Sequence, residues 1–87
     1  MKAKDLLNYE SKNVASLFRI LLDNACILKD DDVQVSAGLK VCEIRILIRH
    51  SITSYDLKRL NVSYVNYFSF SVPLGQIGFY LTIHVDL

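Results

Sequence analysis

His50 and His84 are the only histidines in the chain, and no cysteine stands at a spacing from either that a shared metal ion would need. His84 falls on the polar side of an alternating run, which reads as a surface or network histidine. Asp30-Asp31-Asp32 gathers three carboxylates, but without the spaced ligands and glycine of a calcium loop, so it reads as a solvated turn. Serines are plentiful, and none sits in a Gly-x-Ser-x-Gly elbow. Cys26 and Cys42 occupy apolar periodic positions and read as reduced, buried thiols. No set of residues combines a nucleophile, a base and an orienting group. The sequence therefore predicts no catalytic residue, no metal site and no cofactor. The tyrosines remain. Tyr55, Tyr64, Tyr67 and Tyr80 would suit base stacking only beside clustered basic residues, which the chain lacks. Core packing, cross-strand pairing and contact with another protein fit them better.

The elements that must carry these residues are marked by periodicity. From Ile77 onward, Ile77, Phe79, Leu81, Ile83, Val85 and Leu87 alternate with Gly78, Tyr80, Thr82, His84 and Asp86. That period of two, in β-branched and aromatic residues, predicts a half-buried strand. Residues 62–72 alternate too, with Val62, Tyr64, Phe68, Phe70 and Val72 opposite Ser63, Ser69 and Ser71. Pro73-Leu74-Gly75-Gln76 between the two runs predicts a turn, and hence a long hairpin with one apolar face.

Residues 4–28 read as helical, as one helix or two. Val14, Leu17, Phe18, Leu21, Leu22, Ala25 and Leu28 form one stripe, and Ser11 or Asn13 is a candidate N-cap. Val33, Val35 and Ala37 predict a short strand, and Gly38-Leu39-Lys40 a turn. Residues 41–50 predict a longer strand, with Cys42, Ile44, Ile46 and Ile48 on one face and Glu43, Arg45, Leu47 and Arg49 on the other. Thr53 and Asp56 have capping-box spacing, Ile52 and Leu57 form a hydrophobic staple, and Asn61 closes the short helix between them. The expected fold is α+β, a single small two-layer domain in the order α-β-β-α-β-β. Its four-stranded antiparallel sheet carries the helices on one face.

Bulk properties narrow the function classes. Eighty-seven residues make one domain with a small core. Ten basic residues against nine acidic leave a net charge of +1, which gives no electrostatic case for nucleic acid or an anionic membrane. No apolar run approaches the ~20 residues that span a bilayer. The start Met1-Lys2-Ala3-Lys4 lacks the apolar segment of a signal peptide, so a cytoplasmic protein is expected.

Three collinear segments resemble the ATP-binding domain of histidine kinases, the Bergerat-fold (GHKL) ATPases, in degenerate form. Phe18-Arg-Ile-Leu-Leu-Asp-Asn-Ala25 is similar to that family's asparagine box. Ile52 with Asp56-Leu57-Lys58-Arg59-Leu60 is similar to the sequence past its first glycine box. Residues 73–82 resemble its second glycine box. The resemblance implies that Asn24 would coordinate a phosphate-bridging magnesium and that Gly78 would let backbone amides approach those phosphates. Where the family places its adenine-reading aspartate, this chain has Leu47-Ile-Arg-His-Ser51.

Two functional expectations follow. The first is a non-catalytic regulatory or inhibitory protein, for example a phage or mobile-element inhibitor of a host system. It would bind another protein, or a second copy of itself, through the face or edge of the final hairpin. Tyr67, Tyr80 and His84 are then the contact residues, close together if the turn centres on Leu74-Gly75. The second is a degenerate nucleotide-binding domain in which Asn24 and Gly78 are the site residues.

Overall fold

The alternating runs become adjacent strands of one sheet in the computed structural model, which describes residues 1–75 and 77–87. A 3-10 helix at Ala3–Asn8 leads into α1 (Lys12–Asp23), then β1 (Asp32–Ala37) and β2 (Val41–Ile48). The short α2 (Ser54–Leu57) continues as a 3-10 turn at Lys58–Leu60, and β3 (Val65–Ser71) and β4 (Phe79–Asp86) complete the chain. All neighbours in the sheet are antiparallel, in the spatial order β1-β2-β4-β3. This is the α+β arrangement that the pattern predicts. Gln76, part of the predicted turn, lies outside the described residues.

One face of the sheet builds the core. Ile44, Ile46 and Ile48 of β2 and Leu81, Ile83 and Val85 of β4 are buried with Val14, Leu17, Phe18 and Leu21 of α1. Leu60 and, from the first 3-10 helix, Leu6 belong to the same cluster. The staple residues Ile52 and Leu57 pack against the same cluster. Thr53 caps α2 as its sequence predicts: its Oγ1 accepts from the Asp56 amide at 3.1 Å, and its own amide donates to Asp56 Oδ2 at 2.9 Å.

Four expectations are corrected. Of the two readings of residues 4–28 the structure has two helices, with Ser11 capping the second, but the predicted end at Leu28 is too late, because α1 stops at Asp23. There Ala25 takes a left-handed φ of 56°, the Cys26 amide donates to Leu21 O at 2.9 Å, and the Ala25 amide donates to Leu22 O at 3.1 Å. This is a Schellman ending with alanine where glycine is usual. It turns Cys26 and Ile27 inward and leaves Leu28 exposed, against the extrapolated helical stripe.

The aspartates form a solvated turn only at Asp30, whose side chain is 80% exposed. Asp30 faces Lys4 at 3.4 Å, Asp32 opens β1 beside Lys2 at 2.7 Å, and Asp31 is tied into the structure. Residues 62–64 precede β3 as a turn rather than extending it, and Tyr64 packs on the core with its hydroxyl buried and without a hydrogen-bond partner among the described residues. Finally, Val65 pairs with Val85 but Tyr67 pairs with His84, so Asn66 is the extra residue of a β-bulge. The bulge switches faces: Val65 joins the core, whereas Tyr67, two residues on, points to the opposite side.

Candidate functional site

All helices lie on the core side, so the other face of the sheet is open. Directly opposed residues in antiparallel strands share a face, and the register defines three rungs that cross all four strands on the open side. The first is Tyr67, His84, Glu43 and Ser36; the second is Ser69, Thr82, Arg45 and Gln34; the third is Ser71, Tyr80, Leu47 and Asp32.

In the first rung, side chains from three strands meet in register. The rings of Tyr67 and His84 stack with centroids 4.1 Å apart and planes 17° from parallel. On its other side, His84 Nε2 lies 3.7 Å from Glu43 Oε1. Tyr67 is 58% exposed, so this is an ordered aromatic surface rather than part of the core. Tyr67 thus presents its ring face, not its hydroxyl, to the imidazole.

Tyr80 is on the same face but not in the cluster. A turn centred on Leu74-Gly75 would set Tyr67 opposite Thr82; instead Tyr67 meets His84 and Ser71 meets Tyr80. That slip of two residues keeps the side chains of residues 67–71 on their predicted faces. It moves Tyr67 from a position opposite Thr82, two residues from Tyr80, to one opposite His84, four residues and about 13 Å away along β4. Arg45 covers Tyr80, with its Cζ 5.4 Å from the ring centroid.

Neither residue of the nucleotide reading is idle. Asn24 is the C-cap of α1, and its Nδ2 donates to Ile20 O at 2.7 Å. Gly78 has a φ of 101°, and a Cβ there would stand 2.4 Å from Ile48 O. Both thiols are buried and free, and burial pushes them upward; the neighbouring Asp56 adds to the shift at Cys26.

A contact that sequence spacing gives no sign of joins the loops before β1 and after β2. His50 Nε2 lies 3.0 Å from Asp31 Oδ2, and His50 Nδ1 lies 3.1 Å from Ser51 O. Asp31 also accepts from the Leu28 amide at 2.8 Å, and its side chain is only 11% exposed. With an acceptor at each nitrogen, imidazolium satisfies both, whereas either neutral tautomer satisfies one. Burial pulls the His50 pKa down, but the bonds to Asp31 and Ser51 and the charges of Asp31 and Asp56 outweigh it, so the net shift is upward from 6.5.

A pKa raised on folding stabilises the protein fully below the unfolded value and loses that contribution as pH rises through the folded one. His50→Gln is therefore expected to destabilise more at about pH 5.5 than at about pH 8.5, as read by urea unfolding at each pH. Equal losses at both would show that the imidazole charge is not held by this contact.

Compared with known proteins, the chain matches no family model, no curated protein and no solved structure.

Proposed function

We propose that this chain is a non-catalytic regulatory or inhibitory protein that binds another protein through the open face of its sheet. The observation that carries the reading is the rung formed by Tyr67, His84 and Glu43. It holds an exposed tyrosine stacked across β3 and β4, with Glu43 of β2 beside the imidazole, and tyrosines held in this way are common binding hot spots.

Size argues that the face does not act alone. Four strands of about seven residues present roughly 400 Å² in projection, about half of the ~800 Å² each partner gives to a standard interface. The rest lies next to it. β3 is an edge strand without a charged residue or proline, open to strand addition by a partner. The opposite edge is partly closed, since Met1 exchanges backbone bonds with Val33 at 2.8 and 3.1 Å. Beyond β3, the hairpin end exposes Val72, Leu74 and Ile77, an apolar extension of the same edge.

The test begins with pull-down from the native host and mass spectrometry to identify the partner. Tyr67→Glu is expected to cost at least about 2 kcal/mol of affinity for that partner, with at most about 0.5 kcal/mol of stability and an unchanged circular dichroism spectrum. A folded Tyr67→Glu variant with full affinity would rule out this face and redirect the search to α1. Micromolar affinity for ATP with magnesium, abolished by Asn24→Ala, would instead transfer the function to the nucleotide reading.

A further inference from the structure

The second and third rungs of the open face hold a feature with its own chemistry. A shallow groove of about 410 Å³ runs beside Tyr80, with Leu47 in its floor and Asp32, Gln34, Arg45 and Arg49 around it. Leu47 is only 8% exposed although it lies on the open side, so the groove has an apolar base under a charged rim.

The rim is electrically unbalanced. Asp32 is its carboxylate, and that group is already shared by Lys2 at 2.7 Å and Arg49 at 3.6 Å. Arg45 makes no ion pair among the described residues. Its guanidinium lies over the Tyr80 ring, which restrains the side chain while leaving its planar N–H donors available. A second, smaller hollow of about 230 Å³ adjoins Arg45 on the side of Glu43 and Ser36.

From this geometry we infer that the groove takes a carboxylate-bearing side chain from an acidic segment of the partner protein. Its carboxylate would be held by Arg45, and its aliphatic stem would rest on Leu47 and Tyr80. The inference rests on the protein-binding reading and names the chemistry recognised there. A carboxylate on a short stem matches what the groove offers, namely one free planar fork above an apolar floor. A nucleic-acid backbone matches it poorly, because Glu43 and Asp86 occupy the same face and the chain's net charge is only +1.

The experiment uses the full chain, isotope-labelled for NMR, with a terminally blocked tetraglutamate peptide as the probe. Tetraglutamine is the neutral control and oligothymidylate the phosphate control. Tetraglutamate is expected to shift the Arg45 Nε–H and the amides of Leu47 and Tyr80, binding at least about tenfold more tightly than tetraglutamine. Arg45→Gln, a change on an exposed side chain, is expected to remove that preference. Arg19→Gln, which removes an equal charge from the exposed side of α1, is expected to retain it. Equal binding of the two peptides, or a preference that survives in Arg45→Gln, would overturn the inference. Tighter binding of oligothymidylate at the same residues would also overturn it, in favour of a phosphate ligand. The two readings fail separately. If Tyr67→Glu loses the natural partner while Arg45→Gln keeps both partner and tetraglutamate affinity, only the groove assignment falls. If Tyr67→Glu keeps the partner, the face itself falls.

Discussion

Ile46→Ala is expected to lower the free energy of unfolding by about 2–5 kcal/mol. Ile46 has no exposed surface, pairs with Val33 on one side and Leu81 on the other, and belongs to the core cluster under α1. Truncation removes three carbons from a place where neither flanking strand can move inward without breaking its ladder. The cavity penalty then adds to the lost transfer free energy. Against the roughly 5–15 kcal/mol that holds a domain together, this is a large fraction. Urea unfolding followed by circular dichroism measures it, and an unchanged midpoint would mean that the buried face of β2 is misassigned. Phe79→Ala should cost less than the ~3–5 kcal/mol usual for a core phenylalanine, because Phe79 is only half-buried. It sits edge-on to Phe70 with centroids 5.6 Å apart, and Phe70 is itself 45% exposed.

Gly78→Ala is expected to destabilise by about 2–5 kcal/mol, from two separable sources. A φ of 101° is a conformation that a side-chain-bearing residue adopts only under strain. The new methyl would also meet the Ile48 carbonyl at 2.4 Å and Arg49 Cγ at 3.2 Å, where β4 begins beside the end of β2. Gly75→Ala is the internal control. Its φ is 74°, but nothing among the described residues beyond its chain neighbours lies within 4 Å of the Cβ position, so only the backbone penalty of about 1 kcal/mol applies. Thermal unfolding of both variants should show Gly78→Ala as clearly the worse. Equal losses would mean that the approach to Ile48 relaxes without cost. This contact is a sufficient reason for glycine at position 78 whether or not a ligand ever approaches it.

The Ile46 prediction and the binding predictions concern opposite faces of one sheet. Because β2 and β4 supply both faces in alternation, Ile46 and Arg45 are adjacent in sequence yet point to opposite sides. Substitutions of outward residues such as Tyr67 and Arg45 can therefore be read as binding effects, provided that folding is checked.

The sequence alone determined what depends on a residue and its near neighbours. Alternation across residues 77–87 places Leu81, Ile83 and Val85 inward because successive β-carbons must point to opposite sides, whatever the partner strand. Thr53 and Asp56 mark a helix start because the two groups that satisfy each other lie three residues apart. Tyr67, Tyr80 and His84 were legible as outward-facing for the same reason. Tertiary structure decided what depends on two distant segments meeting. The bulge at Asn66 and the longer hairpin connection set Tyr67 on His84 and left Tyr80 to Arg45; a slip of two residues leaves the polar-apolar pattern unchanged, so the pattern cannot choose between the registers. The left-handed Ala25 ended α1 where the apolar stripe continues, because the inward turn of Cys26 and Ile27 is favoured by a core that the local sequence does not contain. Asp31 and His50, 19 residues apart, became partners only when the loops before β1 and after β2 were brought to the same end of the sheet.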